Sequence, residues 1–573
     1  MCGIFYTSSQ STASVIAASR SLSARGPDAS REIVIGDHFF AFHRLRINDL
    51  SDEGMQPWIT DEYVFMCNGE IYNSAHLRSL VPGPFKSTSD CEVVPHLISK
   101  FGIDAALALI EGVFAFVYLD RKSSRVVVAR DAIGIKSLYI GTRNNDALAE
   151  KGDEMTGILP CWSALFQVEN FVVASEMKAL HSICARGSVS QFPAGHYYDS
   201  DNQSLTRWVD LNFAPATVPS VFVHTGGASG CDALREIRKR LTEAVRVRLD
   251  TSDRPVGCFL SGGLDSSLVA AIASKLVRER SNGEKKIKTF SVGIKGATDL
   301  ESAKAVAYWI GSDHHELVLS EEDMIRAVPK VIRRIESYDV TTVRASTPMV
   351  LLSDWIKENF DTTVLFSGEG ADELSGSYRY FKNAPDHEAF QQESVRLVKD
   401  LQYFDVLRCD KSVSGSGLEA RTPFFDMNFV NFYMRLDPRL KTWTGKGKNI
   451  EKALLRNAFR PDPGSGERGL LPEALLDRRK EAFSDGCSSM ERPWFKVIED
   501  HVNSIMSDEE YEERRRQFEV NRPISKEGYW FRAIYEKHYS ERGSVVPYIW
   551  RPKWTTEKNP SARLLMMMEK NKN

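Results

Sequence analysis

Up to about residue 208, apolar positions come in short runs separated by turn residues: Gly3 to Thr7, Glu32 to Ile35, Phe39 to Arg44, Tyr63 to Asn68, Val113 to Leu119, Arg125 to Asp131 and Phe171 to Ser175. Such runs predict strands, and a succession of them predicts a layered, β-rich domain. The pattern then breaks. From Val209 to Gly230 the chain carries Pro215, Pro219, Gly226, Gly227 and Gly230 with little helical periodicity, which predicts a linker. Beyond it, Cys231 to Leu249 spaces its apolar residues as a helix does. Val256 to Leu260 is a short apolar strand running through Ser261-Gly262-Gly263 into a second helix, Ser267 to Arg278. Lys288 to Gly293 and Thr363 to Phe366 read as further buried parallel strands alternating with helical stretches. The expected organisation is a first domain over 2–208, a linker over 209–230 and an α/β domain over 231–573.

A length of 573 residues exceeds what one hydrophobic core supports and predicts two to four domains, with two large ones fitting comfortably. With 74 basic against 77 acidic residues, the net charge of −3 gives no general attraction to nucleic acid or anionic membrane, so small molecules are the expected partners. The most apolar stretch, Ala105 to Leu119, is interrupted by Glu111 and Gly112 and falls short of the roughly 18 to 20 residues of a membrane helix. It reads as core. Residues 1–20 lack a basic flank before a long apolar run, which predicts a cytoplasmic protein. Cysteines at 2, 67, 91, 161, 184, 231, 258, 409 and 487 form no C-x-x-C pair, against a disulfide framework or zinc site.

Cys2 stands apart because of its address. Aminopeptidases remove Met1 before a small side chain, which would leave a thiol beside its own α-amine. An α-amine ordinarily titrates at about 7.7–8.0 and a thiol at about 8.5, so proton exchange between them is nearly balanced at neutral pH. Attack on an amide carbonyl then needs an oxyanion hole, and Asn68-Gly69 offers a side-chain amide followed by an unobstructed backbone N–H. A substrate that is itself an amino acid also needs a forked cation and nearby carboxylates, for which Arg44, Glu70 and Asp90 are candidates. Read singly, Asn68-Gly69 is a hairpin turn, Arg44 a solvated strand residue and Cys2 an ordinary terminal residue.

The segment Ser261-Gly262-Gly263-Leu264-Asp265-Ser266-Ser267 joins a strand to a helix start, where backbone N–H groups and the helix dipole favour phosphate. Asp265 could hold Mg²⁺ against the phosphates. The Gly-Lys-Ser/Thr ending of a Walker A loop is absent, and a plain Gly-Ser turn is the ordinary reading. Downstream lie Ser367-Gly368-Glu369-Gly370-Ala371-Asp372-Glu373, where Glu369 and Asp372 could be a helix-cap pair. Later comes Arg479-Lys480-Glu481-Ala482-Phe483-Ser484-Asp485-Gly486, where Lys480 could be a surface charge.

Taken together, Cys2-Gly3-Ile4-Phe5, Arg25-Gly26-Pro27-Asp28, His43-Arg44-Leu45, Asn68-Gly69-Glu70-Ile71-Tyr72-Asn73 and Ser89-Asp90-Cys91-Glu92 resemble the glutaminase domain of the N-terminal-nucleophile amidotransferases. The Ser261, Ser367 and Arg479 segments extend the likeness. So do the tail Trp550-Arg551-Pro552-Lys553-Trp554 and Pro560-Ser561-Ala562-Arg563, so that the whole chain is similar to glutamine-hydrolysing asparagine synthetases, the tail to their eukaryotic form.

The resemblance implies an α+β N-terminal-nucleophile glutaminase sandwich followed by an α/β parallel-sheet, ATP-pyrophosphatase-like synthetase domain. Catalysis would fall to Cys2, Asn68, Gly69 and Glu369. Glutamine would be bound by Arg44, Leu45, Arg46, Ile47 and Asn48 with Asn68, Gly69, Glu70 and Asp90. Leu260, Val292, Ser367 and Gly368 would contact adenosine, and Ser261, Gly262, Gly263, Asp265 and Ser266 the pyrophosphate. Asp372, Asp405, Arg408 and Lys480 would shape the aspartate and pyrophosphate region. The implied cofactors are ATP and Mg²⁺, the substrates glutamine and aspartate, the assembly a homodimer, and an internal tunnel would carry ammonia between the sites.

The sequence departs from that pattern at Arg46, where a small residue is usual, and at Cys487-Ser488-Ser489-Met490-Glu491-Arg492, where an aromatic segment is usual. The stretch Asn144 to Asn170 is longer than typical, with an acidic start that predicts a surface excursion. Two rival readings are a related enzyme with another carboxylate acceptor and a catalytically silent regulatory relative. Retention of Cys2, Asp265, Glu369 and Lys480 weighs against silence.

Overall fold

A computed structural model describes residues 1–9, 12–143, 171–185, 187–213, 228–442, 450–461, 468–556, 559 and 561. The expected excursion at 144–170 lies outside the described residues, as do 214–227 of the expected linker.

The first half is built on strands β1 (Gly3–Thr7), β2 (Ala29–Ile35), β3 (His38–Arg44), β4 (Trp58–Ile59), β5 (Tyr63–Ile71), β6 (Gly112–Asp120), β7 (Val126–Arg130), β8 (Tyr139–Thr142), β9 (Phe171–Ala174), β10 (Ser190–Gln191), β11 (His196–Asp199) and β12 (Ser204–Arg207). They form two antiparallel six-stranded sheets, in the orders β10-β8-β9-β1-β3-β2 and β12-β11-β7-β6-β5-β4. Side chains alternate between faces along a strand, so the central strands β1, β3, β5 and β6 feed two cores. Ile4, Phe40 and Phe42 of the first sheet meet Val64, Met66 and Val117 of the second between the layers. Their neighbours Phe5, Phe39 and Ala41 point outward to the helix Ala13–Arg20 and beyond. Phe65, Cys67 and Phe116 cover the helices Val93–Phe101 and Ile103–Leu109. The strands read as apolar runs, not as alternation, because helices bury both outer faces. The apolar stretch from Ala105 splits into a helix end and β6, as a core segment and not a span.

Strands β13 (Val256–Phe259), β14 (Lys288–Ile294), β15 (Asp313–Leu319), β16 (Val364–Phe366) and β17 (Glu419–Arg421) form a parallel sheet in the order β15-β14-β13-β16-β17. Leu268, Ile272, Ala303 and Val306 of helices Leu264–Arg280 and Thr298–Ile310 pack with Cys258 and Phe366. Met349, Ile356 and Val413 of helices Val340–Asn359 and Asp405–Ser414 pack with Phe259, Phe290 and Leu365. The expected fold class therefore holds in both halves. One boundary moves: the helix Ala228–Asp250 begins inside the expected linker. No helix among the described residues is long and apolar enough to cross a membrane.

The halves meet through buried charge. The Arg25 guanidinium reaches Glu176 at 3.0 Å in its own half and Asp410 at 2.8 Å in the other. Lys136 pairs with Glu419 at 3.1 Å, and Arg421 with Glu70 at 2.9 Å. Such pairs add little net stability over an apolar contact, but losing one partner costs about 3–5 kcal/mol because the other stays buried and charged. They fix how the two halves sit on one another.

Candidate active sites

Cys2 directly precedes β1, and its surroundings come from β5 of the other sheet and from the chain just after β3. Its N–H donates to Asn68 Oδ1 at 2.9 Å, and the Leu45 N–H donates to its Sγ at 3.4 Å. Asn68 and Gly69 lie inside β5, so the hairpin reading of that pair is wrong. A Cβ on Gly69 would stand 2.7 Å from the Val113 carbonyl of the paired region, which leaves glycine as the residue that fits. With Asn68 Oδ1 engaged by Cys2, the buried Asn68 Nδ2 finds no acceptor. An amide donor stranded beside a thiol is what a developing oxyanion requires. Burial pushes the Cys2 thiol up, against the downward pull of the adjacent chain-terminal amine and the Leu45 N–H. The Met1 amine itself, desolvated though near Glu419, is lowered to about 6.

The expected glutamine pocket is brought together in part. Asn48 Nδ2 donates to Glu70 Oε2 at 2.7 Å, and Asp90 Oδ2 accepts from the Ile71 N–H at 2.5 Å. Burial raises both the Glu70 and Asp90 carboxyls. For Glu70 the main opposing charge is Arg421, and for Asp90 it is the Ile71 N–H followed by the Asn48 amide. Arg44 is not the solvated residue of the ordinary reading: it is buried, donating to the carbonyls of Asp49 and Ser51 and so bracing the turn after β3. Leu45 and Ile47 pack on Val364. Arg46 pairs with the exposed Asp52 at 2.7 Å.

In the second half, a cavity of about 660 Å³ opens where β13, β14 and β16 end, the crevice in which parallel sheets bind ligands. Leu260, Ser261, Gly263, Asp265, Ser266, Val292, Ser367, Gly368, Glu369, Asp372, Asp405, Arg408 and Lys480 all line it. Gly262 lies behind the wall, its carbonyl accepting from Arg478 Nη1 at 2.7 Å. A Cβ on Gly368 would come 2.5 Å from Ser266 N, so this glycine allows the two loops to touch. The loop before the helix Leu264–Arg280 is internally braced, Ser261 Oγ to Ser266 Oγ at 3.0 Å.

Charges in the cavity are interlocked. Arg408 grips both oxygens of Glu369, at 2.8 and 2.7 Å, and Asp405 at 2.9 Å. Asp372 lies between Lys452, 2.5 Å away, and Lys480. Burial opposes the Asp372 charge, yet these two ammonium groups hold its carboxyl well below the usual range. The cap-pair reading of Glu369 and Asp372 and the surface reading of Lys480 both fail, since each points into the cavity with an ionic partner. Asp265 differs: Lys452 bonds one carboxylate oxygen, while its Oδ1 is buried without a donor, and burial raises its carboxyl against that lysine. An open acceptor beside a phosphate-type loop fits a hard cation that completes its shell with phosphate oxygens and water.

Lys452, Arg478 and Arg421 escaped the sequence reading. Lys452 sits in a Lys-rich stretch that reads as solvated, and Arg421 on a three-residue strand far from Glu70 in sequence. The stretch Cys487–Arg492 also reads differently in place. Cys487 is buried and its carbonyl accepts from the Ile294 N–H at 2.8 Å, so the change there sits in packing against β14 and outside the cavity wall.

Fold and sites together define a two-part amidotransferase: an antiparallel double sheet presenting a thiol, joined to a parallel sheet presenting a phosphate-type loop. The profile described as a glutamine amidotransferase domain matches residues 1–209, and that described as asparagine synthase matches 236–388 and 382–569. The asparagine synthetase [glutamine-hydrolyzing] of Cricetulus griseus is 37% identical over 576 residues, covering 99% of this chain and 98% of that protein. That of Gallus gallus is 37% identical over 587 residues with the same coverage, and that of Homo sapiens 36% over 576 residues. The chain belongs to the glutamine-hydrolysing asparagine synthetase family.

Proposed function

We propose that this protein makes asparagine from aspartate, taking nitrogen from glutamine and cleaving ATP to AMP and pyrophosphate. The observation that carries this reading is the stranded Asn68 amide beside Cys2, in one chain with a phosphate-type loop whose cavity holds paired lysines and carboxylates.

In the first half, loss of Met1 moves the free amine to Cys2. The thiolate attacks the glutamine side-chain carbonyl, and the oxyanion takes its hydrogen bonds from Asn68 Nδ2 and the Gly69 N–H. The C–N bond breaks, ammonia departs with the transferred proton, and water hydrolyses the thioester to glutamate. Glu70 and Asp90, buried among Asn48 and Arg421, are suited to the substrate ammonium, and N–H groups of Arg44 not spent on Asp49 and Ser51 to its carboxylate.

In the second half, an oxygen of the aspartate side-chain carboxylate attacks the α-phosphorus of ATP and pyrophosphate leaves. Lys452 and Lys480 stand ready to neutralise it. Mg²⁺, where Asp265 Oδ1 is the acceptor left open for it, would draw charge from the phosphates. Ammonia then attacks the acyl carbon of the mixed anhydride, AMP departs, and Glu369 takes the excess proton once Arg408 loosens its two-point grip. The profile matches, ending at 209 and resuming at 236, support working parts over 2–208 and 231–573. A homodimer in the cytoplasm, with ammonia passing inside the protein, completes the proposal.

The deciding experiment incubates the enzyme with Mg·ATP, aspartate and amide-¹⁵N glutamine. Labelled asparagine with AMP and pyrophosphate is expected. Glutamate without labelled asparagine would reject the aspartate acceptor.

A further inference from the structure

A late stretch of the chain, beginning at Trp550, forms a part of the synthetase cavity that the reaction above does not use. Trp550 and Pro552 stand in its wall, and contacts on three sides of the opening hold the stretch that carries them.

On the first side, the Trp550 N–H donates to Asp339 Oδ1 at 3.2 Å. Asp339 also caps the helix Val340–Asn359, whose Thr341 and Ala345 line the same cavity. On the second side, the Trp550 ring meets Tyr378 and Tyr380 edge-on, with centroids 6.1 and 6.0 Å apart. Trp554 packs on Tyr380 and Phe381, Asn383 Nδ2 donates to the Trp554 carbonyl at 3.1 Å, and Lys553 pairs with the buried Glu393 at 2.7 Å. On the third side, Asn559 Oδ1 accepts from Arg344 at 2.9 Å and the buried Ser561 hydroxyl donates to Asp485 Oδ1 at 2.9 Å. Asp485 belongs to the turn of helix Phe483–Gly486 just after Lys480, and Phe483 and Ser484 line the cavity. Ordering each residue costs about 1–2 kcal/mol of backbone entropy. A stretch pinned by buried polar groups on three sides repays that cost, where one resting on the surface would not.

The indole also reaches toward the chemistry. Tyr378 touches both Trp550 and Lys480, whose ammonium stands 5.1 Å from the Tyr378 ring centroid. The Tyr378 hydroxyl donates to Glu373, so the ring is held by this bond and by its edge-on contact with Trp550. Lys480 is thereby placed on an aromatic face as well as on Asp372.

We propose that Trp550 to Thr556, with Asn559 and Ser561, forms a strap across the mouth of the synthetase cavity. In this strap Trp550 is a positioning residue: it holds Tyr378 against Lys480, so that the Lys480 charge stands where pyrophosphate departs. This inference rests on the reaction proposed above.

The test compares Trp550→Ala, Trp550→Phe and Ser561→Ala in the full chain, assaying AMP formation, asparagine formation and glutaminase on each preparation. Trp550→Ala is expected to lower kcat for synthesis about tenfold or more, since small misplacements of a catalytic group have effects of this size or larger. The KM for ATP should shift far less, and the glutaminase rate should stay at wild type. Trp550→Phe, which keeps a ring against Tyr378, recovers most of the loss. Wild-type kcat in Trp550→Ala overturns the positioning role, and so does a parallel fall of both activities with a lowered Tm. If the wild-type enzyme makes no asparagine, the proposed function fails, and the strap is judged by trypsin cleavage at the exposed Lys553. Faster cleavage in Trp550→Ala and Ser561→Ala than in wild type supports the strap; equal cleavage overturns it.

Discussion

The two sites solve their electrostatic problems in opposite ways. Around Cys2 the groups come from β5 of one sheet and from the chain just before β1 and just after β3 of the other, and the result is a small set of fixed donors with one, Asn68 Nδ2, left waiting. The packing of the two sheets on one another places these atoms. The synthetase cavity is assembled from loops and late segments, and its charges are already spent on one another: Arg408 on Glu369, Lys452 on Asp265 and Asp372, Lys480 on Asp372. Under the proposed reaction, substrates would enter by replacing those partners. The first site is preorganised by backbone, and the second holds its cationic charge in ion pairs that the proposed reaction would release to phosphate. A nucleophile needs a fixed oxyanion hole, whereas a cavity for a polyanion must keep its lysines paired while empty, because unpaired buried charge is costly.

Breaking the comparison is simplest at its two centres. Cys2→Ala should abolish glutaminase, by roughly 10⁴-fold or more as for loss of other covalent nucleophiles, while synthesis from added ammonium continues. Glutamine use at wild-type rate in that variant would remove Cys2 from the chemistry. Lys480→Ala or Glu369→Ala should reduce synthesis by about 10²–10³-fold, the scale of losing a group aimed at developing charge, with glutaminase intact. Asparagine assay beside glutamate release reads both. The stranded donor sharpens the first site: Asn68→Ala should lower glutaminase kcat by about 10²-fold with KM for glutamine changing far less.

Smaller effects probe the seam between the halves. Arg421→Met leaves Glu70 buried without its main counter-charge and should cost about 3–5 kcal/mol in denaturant unfolding, part of it returned by adding Glu70→Gln. Additive losses would break the proposed coupling. The mildest is pH dependence. Burial disfavours the Glu176 carboxylate, but Lys178 and Arg25 lower it from 4.5 to about 2. A carboxyl lowered in the folded state gives stability that is complete above about pH 4.5 and fades as pH falls toward 2, because the unfolded chain takes up the proton first. Tm should decline over that window, less steeply in Glu176→Gln.

Legibility followed the range of the interactions. The strand runs and the Ser261 to Ser267 loop were visible because apolar runs, turn residues and strand-to-helix N–H groups act within a few residues, and Cys2 was visible by its address. Asn68-Gly69 was found as chemistry at the end of an expected strand: taken alone the pair imitates a hairpin turn, and the partner β6 shows it to be a strand interior. Arg46 gave no local sign of its partner, and packing pairs it with the exposed Asp52. The dimeric and tunnel expectations have no counterpart in local pattern and, with the cytoplasmic one, stay with the proposal.

By itself, then, the sequence determined two layered halves, a terminal thiol with an amide donor, and a loop shaped for phosphate, each a property of backbone conformation over a short window. The tertiary structure alone decided that Lys452 would meet Asp265 and Asp372, that Arg421 would neutralise Glu70, and that Trp550 would return to brace Tyr378. Those contacts join segments far apart in the chain, and a charged or aromatic side chain carries no mark of its distant partner until packing brings the two together.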